Sequence, residues 1–181
     1  MTPGRCHNAP VRLVAFLRGI NVGNRRPKKD ELIAAVAGPE FADVSTYQAS
    51  GNLLFTSELE PAEAEPVLEQ RLEASLGYEV TCFVRSVDEL RTLLAGIPEP
   101  GPGAKHEIIF YKSDPGDEAR AALAATAGPN DTLSPMGRQT LWTHVGGMSE
   151  SPLAALTPRP GAPVTTVRTA ATIDRIVDKF T

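Results

Sequence analysis

Two short stretches carry the residue types that could do chemistry. Arg18-Gly19-Ile20-Asn21-Val22-Gly23 holds a guanidinium, a carboxamide and two glycines. Ala49-Ser50-Gly51-Asn52 adds a hydroxyl, a third glycine and a second carboxamide. A guanidinium is a planar fork of donors that matches phosphate or carboxylate. Asn and Ser side chains add neutral donors, and glycine-flanked turn amides form anion-binding nests. The shared chemistry is recognition of a small anion. Arg18 would hold the charge, Asn21, Ser50 and Asn52 would orient the ligand, and Gly19, Gly23 and Gly51 would free the backbone to approach it. Arg168 is a second cation, just ahead of the last helical segment, where it could complete the pocket. Thr169 or Thr172 is placed to cap that helix.

The same residues support a purely structural account. Gly19 and Gly23 can serve only to supply positive φ angles. Asn21 and Asn52 can bond their own backbone, and Arg18 can pair with a carboxylate such as Asp43. The nearby run Arg25-Arg26-Pro27-Lys28-Lys29 reads as a solvated loop face. At a helix start its lysines oppose the macrodipole, a conflict that a bound phosphate would relieve. Conventional catalytic sets are missing. His7, His106 and His144 accompany no Gly-x-Ser-x-Gly, Walker A or paired-cysteine motif. His144 lies two residues from Trp142, on the same strand face, and reads as core or sheet surface. Cys6-His7 sits in a polar, proline-bearing tail and gives no metal set. No cofactor is expected.

The elements that must position these groups follow from periodicity. Val11 to Leu17 is nearly continuous in apolar residues, the pattern of a strand covered on both faces. Pro27 opens a helix bearing Leu32, Ile33 and Val36, which Gly38-Pro39 stops. Val44 to Gln48 and Leu53 to Thr56 read as strands joined by the Ala49–Asn52 turn. Leu68, Leu72 and Leu76 mark a helix closed by Gly77. Pro66 implies that this helix starts near Glu65 or kinks. Val80 to Val84 is a fourth strand. The order βαββαβ is the ferredoxin-like plan, and right-handed crossovers give strand order 4-1-3-2. That topology alone brings the first strand's exit and the hairpin tip to one end of the sheet, side by side.

Ser86-Val87-Asp88-Glu89 is a capping box ahead of Leu90, Leu93, Leu94 and Ile97. Pro98 to Gly103 is the clearest linker. The plan then repeats: a strand over Glu107–Tyr111, a helix over Glu118–Ala127, a hairpin from Asp131–Ser134 to Gln139–Val145, a short helix over Pro152–Leu156 and a strand over Val164–Val167. A final helix carries Ile173, Ile176, Val177 and Phe180. The expected class is α+β: two tandem ferredoxin-like subdomains packed as one compact unit, with an extra C-terminal helix. The boundaries are a disordered tail over 1–10, a first subdomain with its connecting helix over 11–97, a linker over 98–104 and a second subdomain over 105–181.

Composition narrows the partners. The 181 residues carry 18 Lys/Arg against 22 Asp/Glu, and residues 1–85 and 86–181 each hold nine basic and eleven acidic side chains. Neither half has the basic footprint of a nucleic-acid binder. Ala49 to Phe55 also lacks the basic, aromatic-rich strand of RNA-recognition domains. Two cysteines form no disulfide framework. There is no apolar run long enough to span a membrane and no apolar signal-peptide core. A cytoplasmic location is expected.

Phe16 to Gly23, followed by Thr46-Tyr47 and Ser50-Gly51-Asn52, resembles the DUF1697 family of uncharacterised bacterial proteins. Thr166, Arg168 and Thr172 are similar to that family's C-terminal Thr-Thr-Arg-Asn-x-x-Thr segment. The resemblance covers residues 11–181 and implies the tandem ferredoxin-like fold without assigning an activity. Three departures stand out. Ala49 replaces a common Gln. Thr169, Ala170 and Ala171 stand where Asn, Trp and Asn are frequent. Asn24-Arg25-Arg26-Pro27 replaces a less basic loop. The functional expectation is binding of a nucleotide or phosphorylated metabolite. The alternatives are a regulatory or protein-interaction module, and a transferase or hydrolase acting on that anion.

Overall fold

Val11–Arg18 (β1) is the strand from which the first sheet is built. Leu13 to Leu17 are all buried, so both faces of the strand are covered. The structure is a computed structural model that describes residues 9–21, 23–48, 51–155 and 162–180. The tail over 1–8 with Cys6-His7, and Val22, Ala49, Ser50 and Leu156, lie outside the described residues. The chain divides into two units between Glu89 and Leu90, with Phe180 grouped with the first.

The first unit continues through Lys29–Val36 (α1), Ala42–Tyr47 (β2), Asn52–Ser57 (β3), Pro61–Leu76 (α2) and Thr81–Ser86 (β4) into the start of Val87–Ala95 (α3). Its sheet runs β2-β3-β1-β4 and is antiparallel throughout, the order expected from topology. Leu13, Ala15 and Leu17 share a core with Leu53, Phe55, Cys82 and Val84, and that core receives Leu32 and Val36 from α1 and Leu68 and Leu72 from α2. Each fully buried leucine stabilises the fold by about 1.5–3 kcal/mol.

One helix start differs from the sequence reading, and for a second helix the alternative of a start near Glu65 is ruled out. α1 begins at Lys29, not Pro27, because the Glu31 carboxylate accepts the Lys28 N–H at 2.7 Å and places the cap there. α2 begins at Pro61, where the Glu63 carboxylate accepts the Glu60 N–H at 3.0 Å and a proline suits the first turn. Pro66 is therefore inside the helix. It is exposed, on a face where the carbonyl left without a donor meets water. The capping box holds as read: Ser86 N–H donates to Glu89 at 2.7 Å, and Glu89 N–H donates to the Ser86 hydroxyl at 3.1 Å.

The second unit comprises Ala104–Tyr111 (β5), Gly116–Ala124 (α4), Asp131–Met136 (β6), Gln139–Val145 (β7), Thr165–Thr169 (β8) and Ala170–Lys179 (α5). Its order, β6-β7-β5-β8, repeats the first sheet. Ile109, Tyr111, Trp142 and Leu153 form the core on one face. The expected short helix at Pro152 is a 3-10 turn over Pro152–Ala155, preceded by another over Met148–Glu150. Pro135 sits within β6, an edge strand, where a missing N–H is tolerated. α5 is the extra C-terminal helix and buries Ile173, Ile176 and Val177. Among the described residues no helix is long and apolar enough to cross a membrane.

Candidate functional site

The first-strand exit and the hairpin meet. Phe16 pairs with Asn52, and the Leu17 N–H donates to the Gly51 carbonyl at 2.8 Å, one step before Arg18. On its other side Arg18 pairs with Thr81, the first residue of β4. Arg18 is half-buried, while Asn21 and Gly23 are exposed. Ser50 lies outside the described residues.

Gly19 and Gly23 have φ of 81° and 61°, in the left-handed region that glycine enters without strain. A Cβ on Gly19 would also sit 3.5 Å from the Glu79 carbonyl. The loop thus lies over the segment that joins α2 to β4. Tyr78 fixes it there: its hydroxyl donates to the Ile20 carbonyl at 3.0 Å, and the Arg25 guanidinium lies 4.6 Å from the centre of its ring. Three loops therefore build this end of the sheet, not two. Sequence reading missed Tyr78 and the specific role of Arg25. The available signal was topological, because β4 runs antiparallel to β1 and must start where β1 ends.

Asn52 is buried, and its Nδ2 donates to the Tyr47 carbonyl at 3.0 Å, so its side chain closes the hairpin. Asp43 is no partner for Arg18. It follows Ala42, which pairs with Thr56, and Thr56 pairs with Arg12 at the opposite end of β1. The N-terminus of α1 is occupied by Glu31, with Asp30 beside it, so the protein's own carboxylates answer its positive end.

Arg168 and Thr172 belong to the second unit. Arg168 lies on β8, and its Nη1 donates to the Thr166 hydroxyl at 2.8 Å and the Val167 carbonyl at 2.7 Å. Burial lowers its pKa to about 10, still far above neutrality. Thr169 is the residue that caps α5: its hydroxyl accepts the Thr172 N–H at 3.0 Å and donates to the Thr172 hydroxyl at 2.8 Å. Among the described residues no group of three His, Cys, Asp or Glu side chains is arranged to hold a metal ion.

The corresponding end of the second sheet is closed by its own side chains. Arg120 of α4 donates through Nη2 to the Gly137 carbonyl at 2.7 Å, at the β6–β7 turn, and pairs with Asp114 at 3.3 Å. Its guanidinium lies over the Tyr111 ring.

The family model described as "Protein of unknown function (DUF1697)" matches residues 11–141. No curated protein matches the chain. Among solved structures, the conserved bacterial protein SP0830 from Streptococcus pneumoniae is similar, with a TM-score of 0.74 and 22% identity, over 96% of this chain and 100% of that one. The chain belongs to the DUF1697 family.

Proposed function

We propose that this DUF1697 member binds a small anion, a nucleotide or phosphorylated metabolite, at the loop end of its first sheet. The Leu17–Gly51 hydrogen bond carries the reading, because it sets Arg18 beside the hairpin tip. Arg18 supplies the charge. Asn21, Ser50 and the backbone of Gly19, Gly23 and Gly51 supply neutral donors. Asn52 contributes by shaping the hairpin through its bond to Tyr47. Arg25, stacked on Tyr78, adds a second cation beside the same loop. The proposal rests on first-unit residues alone.

The test is thermal unfolding with inorganic phosphate, a nucleoside monophosphate and a nucleoside triphosphate added in turn. A ligand at about 100 times its Kd stabilises by about 2.7 kcal/mol, which raises the midpoint by several degrees. The expected result is a saturable rise that Arg18→Ala abolishes, read against the variant's own unliganded midpoint. A rise that Arg18→Ala leaves intact would move the site elsewhere. No rise with any of the three would remove the anion reading.

A further inference from the structure

The second unit contains a buried acid–imidazole pair that the anion reading does not use. Glu107 is 5% exposed on β5, and His144 is 2% exposed on β7. Glu107 pairs with Trp142, and residues opposite each other across strands share a face, so His144, two places on, shares it too. Glu107 Oε1 stands 3.7 Å from His144 Nε2. That is ion-pair range and longer than a hydrogen bond. Among the described residues neither ring nitrogen of His144 has a hydrogen-bond partner.

The surroundings define the electrostatics. β5 contributes Lys105, the cross-strand partner of His144, and β6 contributes Asp131, its partner on the other side. β8 places uncharged Thr169 opposite Glu107. Glu150 of the first 3-10 turn lies against Gly146 and Gly147, just past the end of β7. The charged side chain that α4 sends to the sheet, Arg120, is engaged at the Tyr111 end with Asp114. Asp131 is committed to other donors: Trp142 Nε1 at 2.8 Å, the Ser151 hydroxyl at 2.6 Å and the Gly128 N–H at 2.8 Å. The Trp142 ring closes on the imidazole at 5.0 Å between centroids.

We infer that Glu107 and His144 form a buried proton-binding site that holds one proton between them and makes the fold of the second unit pH-sensitive. With one proton the pair is neutral overall, whether the proton sits on the imidazole or the carboxyl. A second proton leaves a buried imidazolium beside a neutral acid. Loss of the proton leaves a buried carboxylate beside a neutral ring. Both states put a net charge in a site closed to water, which is costly. The proton belongs to the pair, not to either residue. Burial raises the pKa of Glu107 against partial relief from His144 and Lys105, in agreement with this account.

A carboxyl whose folded pKa is raised contributes stability that is full below its unfolded value and is lost as pH rises through the folded value. Alkali should therefore destabilise the protein through Glu107, and Glu107→Gln should remove that part of the dependence. The experiment is urea unfolding of the full chain from pH 5 to 9, wild type against Glu107→Gln, with the Glu107 carboxyl followed by carbon NMR in the wild type. The expected result is a wild-type unfolding constant that rises more steeply across the range than the variant's, together with a Glu107 signal titrating above the ordinary carboxylate range. Parallel pH profiles in the two proteins would overturn the inference. A Glu107 signal titrating at its ordinary value, with His144 unaffected by Glu107→Gln, would do so too. The NMR arm decides the question if the variant does not fold.

Discussion

Asp131 shows how one carboxylate can organise a neighbourhood. It accepts from an indole, a hydroxyl and a backbone amide, and so ties β6 to β7, to the Gly128 turn and to Ser151 ahead of the second 3-10 turn. Burial pulls its pKa upward. The bonds from Ser151, Trp142 and Gly128, with the field of His144, outweigh that and hold it below the ordinary value of 3.8. Asp131→Ala strands three donors, one of them the NH of fully buried Trp142, and should cost about 2–4 kcal/mol in urea unfolding near neutral pH. A depressed carboxylate gives stability that is present above its unfolded pKa and lost as pH falls through the folded one. The gap between wild type and variant should therefore narrow in acid below 3.8. A gap independent of pH would mean that Asp131 acts by shape alone. None of this was legible in the sequence, where Asp131 marks only the start of a strand. The same holds for Arg168. Its position before a helix was readable, but its desolvation depends on tertiary neighbours.

At the scale of elements, hydrophobic periodicity located the strands and helices but was blind to polar work done on helix flanks. α2 buries Leu68 and Leu72, as its spacing implied. One turn apart on the same helix, Glu65 and Glu69 reach the edge strand β4. Glu65 Oε1 accepts the Val84 N–H at 2.9 Å, and Glu69 Oε1 accepts the Cys82 N–H at 2.8 Å. These amides face away from β1, so α2 covers an edge that would otherwise template pairing with another chain. Glu65 also stands 3.7 Å from fully buried Arg85. Glu69→Ala should expose this edge at a cost of about 1–3 kcal/mol, with faster amide exchange at Cys82. Glu69→Gln keeps the acceptor and should recover most of the loss. If both variants lose equally, the carboxylate charge and not the amide bond is what matters. The start of α2 is a related case. Pro66 left open a start near Glu65 or a kink because proline forfeits a donor, and the helix instead begins at Pro61 and carries Pro66 inside it on an exposed position.

Across the whole molecule, two sheets of identical strand order meet different fates at equivalent ends. The sequence disclosed the repeat through its strand and helix order, without obvious identity between the halves, and the chirality of crossovers gave the order that both sheets share. What the order did not disclose is which side chains stand at each end. In the first unit the strand exit opens into a loop with two left-handed glycines and exposed Asn21. In the second, Arg120 spans from α4 to the hairpin turn, with Asp114 answering its charge. The Gly116 N–H, then Arg120, draw the pKa of exposed Asp114 below its usual value, as expected for a carboxylate held in a local network. An arginine committed to a carbonyl, a carboxylate and an aromatic face has few donors left for a ligand. The two ends can therefore be told apart by experiment. Arg120→Ala should cost about 1–3 kcal/mol through the lost carbonyl bond and ring contact, yet leave any phosphate-induced rise in the unfolding midpoint unchanged. Arg18→Ala should abolish that phosphate-induced rise. Should Arg120→Ala erase the phosphate response while Arg18→Ala spares it, the functional end would be the second one, and the glycines beside Arg18 would be turn chemistry alone.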